Sequence, residues 1–117
     1  VTNPWHTLEV IATRIGDPPV PLIHLTGMCS RWHDPDDRMD QALKALPAKG
    51  GLIIDVGALT YSDMDFLRLL FDAKADHTLI LVGPLSPTLR HHMHTTGTSE
   101  LFDVQTTLRA ALARLGR

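Results

Sequence analysis

The residues Ser62-Asp63-Met64-Asp65-Phe66 put one hydroxyl and two carboxylates just after an apolar run and just before a segment of helical period. Asp63 stands where a helix N-cap belongs, because its carboxylate can accept from the free N–H groups of the first turn. Asp65 would add a permanent negative charge in that turn, where the helix dipole favours an anion by roughly 0.3–1 kcal/mol. Two readings stay open for the pair: capping and solubility, or a charged recognition point. A second group, His91, His92 and His94, invites metal binding, since His91 and His94 at i, i+3 could share a helix face that zinc would use. No carboxylate or cysteine lies near them in sequence, and three close histidines also make an ordinary polar face, so no metal is expected. Asp55, ending an apolar run, has the placement of a phosphoacceptor. That chemistry needs an acidic pair after an early strand and a lysine after a late one. The early strands end in Gly16-Asp17 and Gly27, and Val82 leads to Gly83-Pro84, so Asp55 is expected to bond the next turn instead. Lys49-Gly50-Gly51 is a turn and not a phosphate loop. No Gly-x-Ser-x-Gly elbow or triad spacing is present. The expectation is a non-catalytic domain without a cofactor. A metal-dependent enzyme using the His91/His92/His94 helix is the alternative from another class.

The elements that must position these residues follow from period and punctuation. Leu52-Ile53-Ile54, closed by Asp55 and Val56, reads as a strand buried on both faces. Residues 57–63 read as a short polar turn, and Leu67, Leu70 and Phe71 as one face of the next helix. Upstream, Leu8 to Ile15 is a half-exposed strand, Gly16-Asp17-Pro18-Pro19 a turn, and Val20 to Thr26 a second strand ended by Gly27. So close a turn favours antiparallel pairing. Pro21, which cannot donate to a ladder, belongs at a strand start or on an unpaired edge. Met28 to Asp34 reads as a loop carrying Cys29, Ser30, Arg31, Trp32 and His33. Asp34-Pro35 then has the composition of a helix start, with Met39, Ala42, Leu43 and Leu46 as the buried stripe and Pro47 and Gly50-Gly51 as the end.

Downstream, Thr78 to Val82 is a continuous apolar strand. Ser86-Pro87 starts a helix whose face holds Leu89, Met93 and Thr96, and Gly97 is placed to end it in the left-handed conformation. Leu101 to Val104 is a short last strand. Thr106 caps a final helix with Leu108, Ala111, Leu112 and Leu115 as its stripe. The order β-β-α-β-α-β-α-β-α predicts an α/β fold, a mixed and largely parallel sheet flanked by helices with right-handed crossovers.

The chain of 117 residues suits one domain, residues 1–117 with a core from about 8 to 115, and is too short for two cores. Its formal charge of −2 gives no bulk pull toward nucleic acid or an anionic membrane surface. No apolar run approaches the roughly 20 residues of a membrane span, and no signal peptide is visible. Cys29 is the single cysteine, which excludes a disulfide framework and fits a reducing cytoplasm. Val1 in place of methionine leaves an alternative start or an excised fragment equally open.

Three marks together resemble the STAS domain of anti-sigma factor antagonists. The first is LIIDV followed by Ala58-Leu59-Thr60-Tyr61-Ser62-Asp63. The second is Leu81 to Pro84 before a capped helix. The third is Thr96-Gly97, then Glu100-Leu101-Phe102, then a helix TTLRAALARL. The resemblance implies the STAS fold and a partner switch. Such a domain binds an anti-sigma factor that is also a serine kinase and so frees the sigma factor. Phosphorylation of a serine in an Asp-Ser-Ser-Gly turn abolishes that binding. Carried over position by position, Asp63 is the first residue of the turn, Asp65 occupies the seat of the phosphorylated serine, and Phe66 replaces the glycine. The aspartate that the family keeps after the glycine of the second strand is missing, with Ser30 nearest, and Ser62 stands where the family keeps an apolar residue.

Phosphoserine would add about −1.5 to −2 charge beside the helix start; Asp65 holds a permanent −1 there. The domain is therefore expected to be locked in a phospho-like state or switched by something other than phosphate on this turn. Ser62, Asp63 and Asp65 are the phosphoregulatory candidates. Ser30, Trp32, Asp63, Met64, Asp65 and Phe66 are the partner-binding candidates. Trp32 beside Arg31 has the make-up of an interface anchor or covers the sheet edge; Phe66 is a contact if exposed and core if folded inward. The expected partner is an anti-sigma factor of the serine-kinase type, with a role as a STAS subunit of a transporter or sensory assembly as the alternative. Neither nucleic acid nor membrane insertion is expected.

Overall fold

Gly16, with φ of +86°, begins the tight connection that turns the first strand back on the second. In the computed structural model, residues 8–30, 37–47 and 49–116 are described. The first two strands are β1 (Leu8–Ile15) and β2 (Val20–Cys29), paired antiparallel without interruption from Leu8 opposite Gly27 to Ile15 opposite Val20. There follow α1 (Arg38–Lys44), β3 (Gly51–Ser62), α2 (Met64–Asp76), β4 (Thr78–Val82) and α3 (Pro87–Thr95). A 3-10 turn (Ser99–Leu101), β5 (Asp103–Gln105) and α4 (Leu108–Arg114) complete the order, which matches the alternation the sequence predicts. Among the described residues the sheet runs β1-β2-β3-β4-β5, and β2 to β5 are parallel.

All three crossovers step the same way across the sheet. Connections of one hand therefore place α1, α2 and α3 on one face and leave the other to α4. The buried side chains divide accordingly. Ile23, Leu25, Leu52, Ile54 and Leu81 meet Met39, Phe66, Leu70, Leu89 and Met93 on the first face. Val20, Leu22, Ile53, Ile80 and Val82 meet Ala111, flanked by Leu112 and Leu115, on the second. Successive residues of β3 thus enter opposite cores, which is why its first half is apolar without alternation. Pro21 lies opposite Arg14, one residue before pairing with β3 begins at Leu22 and Ile53, so its missing N–H costs no bond.

Five boundaries differ from expectation. Residues 57–62 are not a turn but the second half of β3, and Met28 and Cys29 belong to β2 and not to a loop. The two segments pair with each other, Thr26 with Ala58, Gly27 with Leu59, Met28 with Tyr61 and Cys29 with Ser62, through register shifts on either side of Thr26–Gly27. Such bulges re-aim side chains, so Val56, Leu59 and Ser62 are buried at intervals of three and no period of two survives to be read. Gly27, with φ of +100°, sits at the second shift. The helix α1 starts at Arg38 behind a left-handed Asp37 that makes no side-chain cap bond; Asp34 and Pro35, expected to start it, lie outside the described residues. Thr107, not Thr106, caps α4, its hydroxyl accepting from the Ala110 N–H at 3.0 Å. The last strand is displaced to Asp103–Gln105 because residues 99–101 coil into the 3-10 turn.

Candidate functional site

The carboxyl ends of β2 and β3 lead into the N-terminus of α2, and Asp63 is the joint. Its backbone is extended (φ −95°, ψ −175°), and its side chain accepts from the Phe66 N–H at 3.1 Å, the N-cap bond expected. Its own N–H donates to the Cys29 carbonyl at 3.1 Å, tying the helix start to β2. One residue earlier, the Ser62 N–H donates to Thr88 Oγ1 at 3.1 Å. Thr88 Oγ1 lies 3.3 Å from Ser86 Oγ, and Ser86 Oγ accepts from the Leu89 N–H as the cap of α3. The turn is therefore held from two sides, by β2 and by the first turn of α3.

The candidate residues separate by helical phase. Phe66 is 1% exposed and packs among Leu67, Leu70 and the sheet, so the core reading holds and the contact reading is corrected. Its position three residues after the cap turns it inward with Leu70. Met64, by contrast, is 48% exposed. The Asp65 side chain is 41% exposed and lies 3.6 Å from Arg68 Nη2 on the same helix, an i, i+3 pair in water that is worth little. Ser62 is 0% exposed and its Oγ has no hydrogen-bond partner among the described residues. Reading Ser62 as a kinase target is therefore corrected: the last pair of the β2–β3 ladder holds its hydroxyl inside. Ser30 is buried at the end of β2. Trp32, with Arg31 and His33, lies outside the described residues.

Two hollows flank the helix start. Between α1 and α2, one of ≈ 370 Å³ is lined by Ser30, Asp37, Asp40, Asp63, Asp65, Arg68 and Asp72, among others. Toward α3, a shallower one of ≈ 350 Å³ is lined by Tyr61, Asp63, Met64, Asp65 and His92. Asp63 and Asp65 form the ridge between them.

His92 was not singled out from its neighbours in the sequence. It lies one turn beyond Thr88, which bonds Ser62, and its Nδ1 is buried without a partner among the described residues. That i, i+4 relation to Thr88, beside the buried stripe Leu89–Met93, was the available signal. The expected pair His91 and His94 is exposed, and among the described residues no three histidines, cysteines or acids are grouped to hold a metal ion. Asp55 does bond the residues that follow, its Oδ1 accepting from the Gly57 N–H at 2.9 Å. Its Oδ2 also lies 3.1 Å from His24 Nδ1 of the neighbouring strand. This pair sits on the α4 face, away from the α2 N-terminus.

No family model matches the chain, and no curated protein matches it. Solved structures do. The architecture is the STAS fold of the anti-sigma factor antagonists, with the same mixed, mostly parallel sheet flanked by helices. An anti-sigma factor antagonist from Mycobacterium paratuberculosis superposes with a TM-score of 0.73 at 20% identity, over 100% of both chains. The anti-sigma factor antagonist SpoIIAA in its unphosphorylated form gives 0.64 at 18% identity, over 92% of this chain and 96% of its own. The phosphorylated form of SpoIIAA, a Bacillus cell fate determinant, gives 0.60 at 17% identity, over 91% and 98%. Among the described residues no helix is long and apolar enough to cross a membrane.

Proposed function

We propose that this chain is a non-catalytic, protein-binding regulator of the anti-sigma factor antagonist type, acting in the cytoplasm. Its partner is an anti-sigma factor of the serine-kinase type, and its switch is not phosphorylation of the α2 turn. The partner surface is the ridge Asp63–Met64–Asp65 with the two hollows beside it, and Trp32, outside the described residues, is the further contact proposed. The observation that carries this reading is the position of Asp65. It is half-exposed in the first helical turn, one residue from an exposed methionine and two from the cap, in the seat where the resemblance expects a serine. A carboxylate there offers a serine kinase no hydroxyl, and the hydroxyl of Ser62 is enclosed.

The test is binding to a cognate serine-kinase anti-sigma factor, followed by incubation of the complex with ATP. The wild-type chain is expected to bind and to take up no phosphate. Asp65→Ser is expected to bind, to become phosphorylated, and to be released. Phosphate on the wild-type turn, or binding indifferent to Asp65→Arg, would refute the reading. Capture of a transporter ATPase in place of an anti-sigma factor would favour the alternative role in a transporter assembly.

A further inference from the structure

We propose that two copies of this chain join through β1, antiparallel about a two-fold axis at Ile11, so that their sheets become continuous. Among the described residues nothing pairs with the outer edge of β1, which lies at one end of the sheet. This edge is eight residues long, and its register with β2 is unbroken. Soluble proteins guard such edges with proline, lysine, bulges or short strands. None of these is present in LEVIATRI, whose charged residues, Glu9 and Arg14, stand near its ends. The opposite edge differs: β5 has three residues, runs out of a 3-10 turn and leads straight to α4.

Side chains and backbone both suit a second copy. Ile11, in the middle of the strand, is 47% exposed. It shares its row with His24 and Asp55, beyond the residues that Ala111 of α4 covers. Pro21, opposite Arg14, has no N–H to give to β1, and Arg38 donates to the Leu8 carbonyl. Both features put the backbone groups of Val10, Ala12 and Arg14 on the open side. A two-fold axis normal to the sheet keeps each face on its own side and opposes residues of like parity. Centred on Ile11, it sets Ile11 against Ile11, Val10 against Ala12 and Glu9 against Thr13, with no like charges opposed. Shifted by one step, it would set Ile11 against Thr13 and Val10 against Arg14, a poorer match. The contact is isologous and closes as a dimer. One strand buries far less than the roughly 1,200–2,000 Å² of stable interfaces, so the association is weak and appears as protein concentration rises.

The experiment is sedimentation velocity over a concentration series, paired with oxidative cross-linking. A non-hydrogen-bonded antiparallel pair holds its Cα atoms about 4.5 Å apart, within the roughly 4.4–6.8 Å that a disulfide spans. Ile11→Cys is therefore expected to cross-link to itself, while Thr13→Cys is not; Cys29 is buried and takes no part. Ile11→Lys, and Ala12→Pro with its outward N–H removed, are expected to stay monomeric while melting as cooperatively as the wild type. The proposal is overturned if the wild type stays monomeric at millimolar concentration. Cross-linking of Thr13→Cys as readily as Ile11→Cys would also overturn it. So would dimerisation that appears only after removal of residues 1–7, which would make that segment the natural cover of the edge.

Discussion

Replacing Asp63 by alanine removes the carboxylate that caps the start of α2 and leaves its backbone tie to β2 in place. The Asp63 carboxylate accepts from the Phe66 N–H at 3.1 Å, while its backbone N–H still donates to the Cys29 carbonyl. Loss of an aspartate N-cap costs about 1 kcal/mol, within a range of about 0.5–2. Phe66 is enclosed in the core, so its N–H has little water to turn to once the cap is gone, which favours the upper half of that range. For a domain of this size 1 kcal/mol corresponds to a fall in Tm of about 3–6 °C. Asparagine caps as well as aspartate does, so Asp63→Asn is expected to lose only the dipole part, about 0.3–1 kcal/mol. Asp65→Ala, at a side chain 41% exposed and paired with Arg68 in water, is expected to fall within about 0.5 kcal/mol of wild type. Urea denaturation followed by circular dichroism measures all three. An Asp63→Ala variant as stable as wild type, or an Asp63→Asn variant as damaged as the alanine, would refute capping as what holds the turn.

Ser62→Ala should leave stability unchanged or raise it by up to about 1 kcal/mol, because the buried hydroxyl it removes has no partner among the described residues; a clear loss in the same denaturation series would show a bond to water. Gly57→Ala should cost about 1–3 kcal/mol, since its Cβ would sit 3.0 Å from the Gly83 carbonyl oxygen and 3.2 Å from Asp55 Oδ1, with backbone that cannot step aside. At the sheet's far end, the Arg114 hydrogen bond, 2.8 Å long, lowers the Asp103 pKa below 3.8, with Gln105 assisting and partial burial opposing. A lowered carboxylate contributes stability that is complete above the unfolded pKa and is lost as pH falls through the folded one. Asp103→Asn should therefore cost no more than about 1 kcal/mol at neutral pH, because Arg114 is mostly exposed. It should also flatten the acid limb of the stability curve below about pH 4, as read by thermal melts across pH.

What the sequence made legible follows from how each signal is written. The buried strands Leu52–Val56 and Thr78–Val82 declare themselves by unbroken apolar composition, and the helices after Asp63 and Ser86 by a cap followed by an i, i+3, i+4 stripe. All four were placed where the structure has them. The second half of β3 was not legible, because strand reading depends on a period of two and the register shifts replace it with an interval of three at Val56, Leu59 and Ser62. Thr106 and Thr107 are equally good caps in isolation, and the choice between them is made by how α4 must lie on Ile53 and Ile80. His92 escaped for a related reason: among three neighbouring histidines, which one faces the sheet is decided by the phase of Leu89 and Met93 and not by the histidines' own spacing.

The same helical phase separates the positions at the start of α2 that the fold fixes from those it leaves open. In the first turn of α2, Asp63 and Phe66 are the residues that bind the helix to the sheet, one by its cap and the other by burial. Met64, Asp65 and Arg68 lie on the side away from it. A half-exposed residue on that side is commonly exchanged at small cost. Position 66 is different. An aromatic ring where the resemblance expects glycine must displace core volume, and here Phe66 is accommodated among Leu67, Leu70 and the apolar face of the sheet. An exchange at the exposed position alters the surface, while one at the buried position alters how firmly the helix start is anchored. Structural likeness at 17–20% identity extends to the fold and leaves the chemistry at Asp65 to be tested on this chain.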